Sequence, residues 1–474
     1  MSGPAARPAL APAGLSEELE AFLGDPHGDG PLSYAASVDS DARGEPDPAA
    51  WAALRDWGLP AHLVPESAGG RLGALAEPFG LFRCLARRDL RVAVGYGSTF
   101  LAAVPVWLWG SDRQRALLAD RIAAGGLGAC AISERAHGSD LLRSECRALP
   151  AGDRFTLRGE KWPIGNATRG EVVTLLARTG ASAFSLLLLD KRELPATGWR
   201  CLPPAPTLGL RGHDLSGLAF DDCPVPADAV LGTAGTGLAQ ILRTLQVTRT
   251  LVAGLSLGAL DTALRVATAY AAERRLYGGP IDRMPVIRDL LVRAYADLLV
   301  GECVAVPAVR AVGAAPGRLV RWSAVTKYLV PVLAEEAMAG LATVLSARAY
   351  LADEPAARLF QKVQRDHAVM SVFDGTTHVN LAALTGMPAP ARPAAGSGPD
   401  RDRVLATLFR VGEPAPGWRP DGAALALGAD DADEITQGWP DAVAALEDRA
   451  DGSPVWRELL EVLEAWHGVR ARCH

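Results

Sequence analysis

The 474-residue sequence is poor in the patterns that mark disulfide-rich or metal-binding proteins. Its 7 cysteines are scattered without a CxxC pair, and its 8 histidines form no HxxxH pair and no cluster with cysteine. An odd cysteine count in a long chain favours reduced thiols, and the first fifteen residues lack the apolar region of a signal peptide. We therefore expect a cytoplasmic protein without a bound metal.

Long apolar runs and clusters of one charge are also missing. No stretch approaches the roughly 18 uninterrupted apolar residues of a membrane span, so none is predicted. The 48 basic and 54 acidic residues are spread along the chain and give a net charge of −6. No lysine- and arginine-rich face is indicated, so nucleic acid is not expected as a partner.

What the sequence does contain is apolar periodicity that changes along the chain. From about Pro48 to Ile122 apolar residues recur three to four apart, which predicts helices. Residues 127–232 hold short apolar runs bounded by turn residues, which predict strands. Helical periodicity returns after Gly237 in four long segments, enough for a bundle. The predicted fold class is mainly α with a central β-domain.

The same patterns predict the domain boundaries. They are an N-terminal extension at 1–47, a helical domain at 48–125, a β-domain at 126–232, a helical bundle at 233–387, and a linker with a helical tail at 388–474. Strands are expected at Leu127–Ile132, Phe155–Arg158, Val172–Arg178, Phe184–Asp190 and Leu218–Phe220. The tail is either an amphipathic docking segment or a contact within an oligomer.

Two local features carry candidate chemistry. A strand near residue 130 runs into a loop with Ser133, Gly138, Ser139 and Asp140, whose hydroxyls and amides suit a phosphate or a heteroaromatic edge. The same residue types also close ordinary turns. Arg249 falls on the apolar stripe of the first long bundle helix, where an unpaired cation is costly. It either reaches solvent near a helix end or contacts a ligand.

Taken together, several segments resemble the acyl-CoA dehydrogenase family. Residues 133–140 read S-E-R-A-H-G-S-D, beside the family's T-E-P-x-A-G-S-D, and residues 159–166 read G-E-K-W-P-I-G-N, beside G-x-K-x-W-I-T-N. Residues 270–281 (Y-A-A-E-R-R-L-Y-G-G-P-I) and 363–380 (V-Q-R-D-H-A-V-M-S-V-F-D-G-T-T-H-V-N) are similar to the family's C-terminal motifs. The resemblance implies an N-terminal helical domain, a middle β-barrel and a C-terminal four-helix bundle.

The resemblance also implies an FAD cofactor. Ser133 and Ser139 would approach the flavin ring, with Trp162, Ile164 and Gly165 beside it. Pro163 and Gly165 stand where the family usually has Trp and Thr, so the threonine hydrogen bond is lost. The remaining positions that the resemblance assigns to the cofactor lie in the C-terminal motifs: Arg274, Tyr277, Gly375 and Thr376.

By its position, Arg274 would contact the pyrophosphate of an FAD held mainly by a neighbouring subunit. A guanidinium suits bidentate phosphate contact. The alternative is a surface arginine on a long helix. If Arg274 contacts the FAD of a neighbouring subunit, the protein is at least a dimer, and a homodimer or homotetramer is expected.

Asp374 stands where the family has its general base, usually Glu. A buried carboxylate above the α-carbon of an acyl thioester can remove a proton while hydride leaves the β-carbon for FAD. Arg249 is the candidate electrostatic support. Since Asp is one methylene shorter than Glu, its carboxylate would lie about 1 Å from the usual position of the base. Such a shift can lower the rate roughly a hundredfold. The structural alternative is an Asx-type turn.

Three functions remain open from the sequence. The first is an FAD-dependent dehydrogenase that forms an α,β-double bond in an acyl thioester, carried by CoA or an acyl carrier protein, in a specialised biosynthetic pathway. The second is an oxidase or monooxygenase of the same superfamily. The third is a non-catalytic partner subunit. The electron acceptor and acyl chain are not predicted.

Overall fold

A computed structural model describes residues 14–388, 399–429, 433–448 and 453–473. The predicted linker at 388–399 therefore lies almost wholly outside the described residues. The N-terminal part is helical, as predicted. Its helices are α1 (Leu15–Leu23), α2 (Tyr34–Arg43), α3 (Pro48–Trp57), α4 (Ala76–Arg88), α5 (Leu90–Trp109) and α6 (Asp112–Ala123). Helices α1 and α2 both fall in the segment predicted as an N-terminal extension.

Local sequence accounts for where these helices begin. Asp47 accepts the backbone N–H groups of Ala49 and Ala50 and precedes Pro48, which is pre-set for a first helical position. Ser111 and Gln114 form a reciprocal capping box at α6. These polar caps fix where each helix begins, so that the apolar faces of successive helices can pack on one another.

The middle of the chain forms a seven-stranded sheet. Its strands are β1 (Gly128–Ala131), β2 (Arg147–Ala151), β3 (Arg154–Gly165), β4 (Val172–Arg178), β5 (Phe184–Asp190), β6 (Trp199–Leu202) and β7 (Leu215–Pro226). The order is β1-β4-β2-β3-β7-β6, with β5 also paired to β4. Strands β4 and β5 match the predicted bounds. Strands β2 and β6 were not predicted, since they are only five and four residues long and mostly exposed or half-buried.

Strand β5 separates two hydrophobic cores. It is buried at every position, and its residues alternate between the two sides. Phe184, Leu186 and Leu188 face the helical core, whereas Leu187 and Leu189 face the core of the β-domain. The sheet therefore forms one wall of the helical core.

The C-terminal bundle contains the helices α7 (Gly237–Glu273), α8 (Pro285–Ala314), α9 (Leu319–Leu345) and α10 (Pro355–His367), with a short hairpin of β8 (Arg275–Leu276) and β9 (Gly279–Pro280) after α7. A shorter helix, α11 (Thr377–Thr385), follows. Helix α7 packs so closely on α4 that a Cβ at Gly258 would lie 2.4 Å from the carbonyl oxygen of Arg83. The predicted fold class is confirmed. The last of the four long helices ends at His367, where a turn begins.

A buried ionic network joins the three parts of the chain. Nζ of Lys362 on α10 lies 3.0 Å from Oδ1 of Asp89, which caps α5, and 2.7 Å from Oδ2 of Asp366. Asp366 also accepts the backbone N–H of Leu210, in the loop before β7. Arg91 pairs with Asp89. Buried charges of this kind are tolerated only when paired, so the network fixes how α10 sits against its neighbours.

The tail folds back on its own chain through α12 (Pro399–Phe409), α13 (Glu434–Glu447) and α14 (Pro454–Cys473). The Arg310 guanidinium donates to the carbonyls of Thr407, Glu413 and Pro414. The backbone N–H of Trp418 donates to Gly73 in the N-terminal part. In the described residues the tail thus docks in cis, across the bundle and the N-terminal domain.

By length and composition alone, three helical segments could cross a membrane: Leu90–Trp109, Gly237–Glu273 and Pro316–Tyr350. The apolar windows of the first two are 78% and 83% buried inside the protein, and that of the third is 44% buried. The expectation of no span rested on the lack of an uninterrupted apolar run. Most of this apolar surface instead packs in the helical core.

Candidate active site

The candidate catalytic residue lies in the turn between α10 and α11. Asp374 and Gly375 both adopt left-handed backbone conformations, with φ of 53° and 85°. Asparagine and aspartate tolerate this region better than most residues, and glycine does so at no cost. The Nδ2 group of Asn380 donates to the carbonyls of Gly375 and Thr376 at 3.0 Å, and Thr376 Oγ1 caps α11 by accepting the N–H of Val379. The turn is thus held by its own following helix.

Asp374 is fixed through one carboxylate oxygen only. Thr248 Oγ1 on α7 donates to its Oδ2 at 2.9 Å. Its Oδ1 is buried and has no hydrogen-bond partner among the described residues. Burial raises the pKa of the Asp374 carboxyl, while the charges of Arg249 and Lys327 and the Thr248 hydrogen bond oppose the rise. A carboxylate with one oxygen held and a raised pKa is suited to act as a base.

Arg249 supports Asp374 through the backbone. Its Nε donates to the carbonyl oxygen of Asp374 at 3.0 Å. A Cβ at Gly375 would lie 2.6 Å from Nη2 of Arg249, so only glycine lets the guanidinium lie on this turn. Burial lowers the pKa of Arg249, and the Asp374 charge opposes this change. The cation on the apolar stripe thus contacts the turn that holds Asp374.

A second buried cation lies behind the turn. Lys327 on α9 donates to the carbonyl of Met370, and its Nζ lies 4.9 Å from the ring centroid of Phe373. Burial lowers the pKa of Lys327 to about 8. His367, beside it, is buried and has its pKa lowered to about 3, so its ring is neutral at pH 7. Two cations therefore flank Asp374.

The loop that follows β1 is held by a buried ion pair. Glu134 accepts Nζ of Lys161 at 2.8 Å and the backbone N–H groups of Glu145 and Cys146. Burial alone would raise the Glu134 pKa, but the Lys161 charge and these hydrogen bonds lower it to about 2. Glu134 of the motif at 133–140 and Lys161 of the motif at 159–166 thus anchor this loop. Ser133 is tied to the next strand by its carbonyl, which accepts the N–H of Trp162 at 3.0 Å.

The other residues predicted to contact the flavin differ in how exposed they are. The Trp162 ring is half-buried and stacks under the Arg135 guanidinium, 3.9 Å from the ring centroid. Ser139 is exposed in the turn after Gly138. The Ile164 side chain is buried in the β-domain core, so only its backbone is accessible to a ligand. A Cβ at Gly165 would lie 2.7 Å from Oγ of Ser98 on α5.

Cys130 links the Asp374 turn electrostatically to the strand that precedes the Ser133 loop. This buried residue lies in β1, three positions before Ser133. Burial and then the negative charge of Asp374 raise the pKa of the Cys130 thiol to about 12. The structure therefore brings Asp374, Arg249 and the Ser133 loop into one region.

Arg274 and Tyr277 lie elsewhere. Arg274 ends α7, 25 residues after Arg249, which is about 37 Å at 1.5 Å per residue. It lines a cavity of about 750 Å³ between α2, α7 and α10 that three further arginines also line: Arg275, Arg348 and Arg358. Tyr277, in the turn of the β8–β9 hairpin, is 94% exposed. Within one chain these residues do not join the Asp374 site.

Three family models match consecutive parts of this chain. They describe the N-terminal, middle and C-terminal domains of acyl-CoA dehydrogenase and match residues 32–126, 129–223 and 235–385. The chain belongs to the acyl-CoA dehydrogenase family. It is therefore an oxidoreductase that acts on CH–CH donors, and its cofactor is FAD.

Relatives of this acyl-CoA dehydrogenase share about a quarter of its residues. The human short-chain specific acyl-CoA dehydrogenase is 28% identical over 356 residues, which are 69% of this chain and 79% of the relative. A probable acyl-CoA dehydrogenase of Mycobacterium leprae, fadE25, is 28% identical over 361 residues, 74% of this chain and 90% of the relative. The matched domains end at residue 385, so the tail lies beyond them.

Solved structures share the fold at lower identity. Butyryl-CoA dehydrogenase from Megasphaera elsdenii superposes with a TM-score of 0.73 at 22% identity, over 79% of this chain and 98% of that one. The prolyl acyl carrier protein oxidase AnaB has a TM-score of 0.71 at 16% identity, over 78% and 97% of the two chains. At these identities the likeness shows the fold alone.

The residues of this acyl-CoA dehydrogenase fit a flavin. Asp374 Oδ1 is buried and unpartnered among the described residues, so it is available to a bound substrate beside the cofactor. The Asp374 charge acts on Cys130 in β1, directly before the loop with Ser133, and the Trp162 ring beside that loop is half-buried. A flavin ring that stacks here would meet the Trp162 ring, one face of which the Arg135 guanidinium covers.

Sequence reasoning missed several residues of this site. Thr248, Lys327 and Ser98 were not singled out, and their partners lie far away in the chain. One signal was available for Thr248. Residues 246–250 read Q-V-T-R-T, an unusually polar stretch within a helix that is otherwise apolar on that side. Nothing in the local pattern distinguishes Ser98 or Lys327.

Proposed function

We propose that this acyl-CoA dehydrogenase forms an α,β-double bond in an acyl thioester with Asp374 as the base. The observation that supports it most is the state of that carboxylate: one oxygen held by Thr248, the other buried and unpartnered, and a pKa raised by burial. A structural Asx turn needs none of these features.

In this mechanism Asp374 Oδ1 takes the proton from the α-carbon, while bound FAD supplies the acceptor for the hydride from the β-carbon. Burial favours the neutral acid that results, and Thr248 keeps the second oxygen in place. The backbone N–H of Asp374 donates to no group among the described residues. It is therefore free to donate to the thioester carbonyl and stabilise the developing enolate. Arg249 fixes the carbonyl of the same residue.

The acyl carrier and the pathway belong to the finer part of the proposal. We infer a specialised biosynthetic enzyme from the departures at Pro163, Gly165 and Asp374 and from the added tail. Two structural neighbours are the prolyl acyl carrier protein oxidase AnaB and FkbI, a protein for biosynthesis of a methoxymalonyl extender unit. The first supports a carrier-protein substrate and the second a biosynthetic role, and the substrate of this chain is either on CoA or on a carrier protein. A cytoplasmic location is part of the same proposal.

An oxidase or monooxygenase is the second candidate. It is favoured by the flavin edge, where the family's Trp and Thr are replaced by Pro163 and Gly165. A non-catalytic partner subunit is the third reading, and the ordered contacts of Asp374 count against it.

We also propose that the protein works as a homo-oligomer. The distance of about 37 Å along α7 between Arg249 and Arg274 is too long for one FAD whose ring lies at Asp374 and whose pyrophosphate lies at Arg274. Arg274 would then serve the FAD of another copy. The nearly full exposure of Tyr277 (94%) and Tyr350 (93%) supports a partner that covers this face.

The test is the visible spectrum of the purified protein before and after loading with FAD. The absorption bands of oxidised flavin should appear after loading. Addition of an acyl thioester under anaerobic conditions should bleach them. Parallel titrations with the same acyl group on CoA and on a carrier protein would identify the carrier. Bands that persist anaerobically, with peroxide formed only in air, would favour the oxidase. A protein that never binds FAD would overturn the enzyme proposal.

A further inference from the structure

The helix α5 and the strand β3 meet at Ser98 and Gly165. A Cβ built on Gly165 would lie 2.7 Å from Oγ and 3.3 Å from Cβ of Ser98, and 3.4 Å from Nε2 of His213. Any side chain at position 165 would therefore collide with the serine hydroxyl. The φ of Gly165 is not in the left-handed region, so the glycine is required by space and not by backbone conformation.

Neighbouring residues fix this contact. Asn166, next to Gly165, donates through Nδ2 to the carbonyl of Gly95 at 2.8 Å and to that of Gly128 at 3.1 Å. The same group lies 3.3 Å from Oγ1 of Thr99, next to Ser98. Thr99 Oγ1 accepts the N–H of Gly128 at 3.2 Å. These buried hydrogen bonds join α5, β1 and β3, so the position of Ser98 beside Gly165 is set by the fold.

The Ser98 hydroxyl itself remains available. The side chain is half-buried and makes no hydrogen bond to another described residue. His213, on the other side of Gly165, has its pKa lowered to about 4 by burial and is neutral at pH 7. The Ser98 hydroxyl is thus an available donor at this point, with no formal charge on the adjacent imidazole.

We propose that Ser98 supplies from helix α5 the flavin-contacting hydroxyl that strand position 165 cannot carry. This inference rests on the proposed placement of the flavin edge at residues 162–165. In this arrangement the hydroxyl and the residue at 165 compete for one volume. A serine on the helix with a glycine on the strand is one solution, and a hydroxyl on the strand with a small residue on the helix is the other.

The exchange can be tested directly. Ser98→Ala should weaken FAD binding about two- to tenfold, the effect of one lost hydrogen bond, and should shift the visible spectrum of the bound flavin. The double variant Ser98→Ala with Gly165→Ser moves the hydroxyl to the strand and should recover most of the affinity and of the spectrum. Gly165→Ser alone should weaken binding, because both groups then occupy the same space.

An FAD dissociation constant and spectrum of Ser98→Ala equal to those of the unmodified protein would overturn the inference, as would failure of the double variant to recover. Thermal unfolding of each apo protein shows whether it folds. If Ser98→Ala does not fold, Ser98→Cys keeps the volume with a much weaker donor and gives the same comparison. Failure of the proposed function is distinguishable, because the unmodified protein would then bind no FAD or show no bleaching with any thioester.

Discussion

The two ends of helix α7 differ in how completely residues of the same chain surround them. Near its beginning, Thr248 and Arg249 bind Asp374 in a site that the same chain closes. At its far end, Arg274 lines an open cavity with three other arginines, next to exposed tyrosines. The comparison suggests that one helix serves two cofactor molecules, with the base for one and a phosphate contact for the other.

The largest expected effect is at the closed end. Asp374→Asn keeps the shape and the Thr248 contact but removes the base, so anaerobic reduction of FAD by a thioester should slow by about 10²- to 10⁴-fold. Affinity for FAD should not change. Asp374→Glu is the matched control: it keeps the carboxylate but moves it by about 1 Å, and a loss of up to roughly a hundredfold is expected. Equal rates for Asn and Asp in stopped-flow measurements would exclude Asp374 as the base.

At the open end the change should appear in cofactor retention. Arg274→Ala removes a charge-assisted contact of about 1.5–3 kcal/mol, so FAD should dissociate about ten- to a hundredfold more readily. Arg403→Ala, in an exposed ion pair of the tail, is the control and should bind FAD normally.

Mixing the two kinds of variant sharpens the comparison. Hybrid oligomers of Arg274→Ala and Asp374→Asn subunits contain one intact site if Arg274 acts on a partner's FAD. Re-assembled mixtures should then recover substrate-dependent bleaching that neither variant shows alone at limiting FAD. No recovery in mixtures that demonstrably exchange subunits would place Arg274 in its own chain's site or outside any site.

A smaller effect is expected from Arg249. Its charge opposes the burial-driven rise in the Asp374 pKa, so Arg249→Met should raise that pKa further. Because the base must be ionised, the acidic limb of the rate profile should move to higher pH. Arg249→Lys keeps the charge and should move the limb less, although both variants lose the hydrogen bond to the turn. A limb that moves to lower pH in Arg249→Met would contradict the assignment.

Thr248→Val should have the smallest effect. It removes one neutral donor worth about 0.5–1.5 kcal/mol, so a two- to tenfold lower rate is expected. The acidic limb should move in the same direction as in Arg249→Met, since the Thr248 hydrogen bond also lowers the Asp374 pKa. The matched control, Thr248→Ser, keeps the hydroxyl and should restore both the rate and the limb.

The sequence predicted what local pattern determines. The fully buried strands β4 and β5 were found at their observed bounds, because continuous apolar runs between turns are a strong signal. The short strands β2 and β6 depend on pairing with β3 and β7, which no local pattern encodes.

The candidate site divides in the same way. Asp374 and Arg249 were found from a motif and from a cation on an apolar stripe, whereas Thr248, Lys327 and Ser98 depend on how separate helices cross. The described part of the tail contacts its own chain through long-range hydrogen bonds such as those of Arg310, which no local pattern encodes.

Strand β5 has a mechanical consequence. Because one face of this strand belongs to the helical core, the β-domain cannot swing away from the helices without exposing Phe184, Leu186 and Leu188 to water. The β-domain and the helices are then held rigidly together and do not form a hinge. We expect the choice among acyl groups to depend on individual side chains, so that single substitutions should change it without any change in domain geometry.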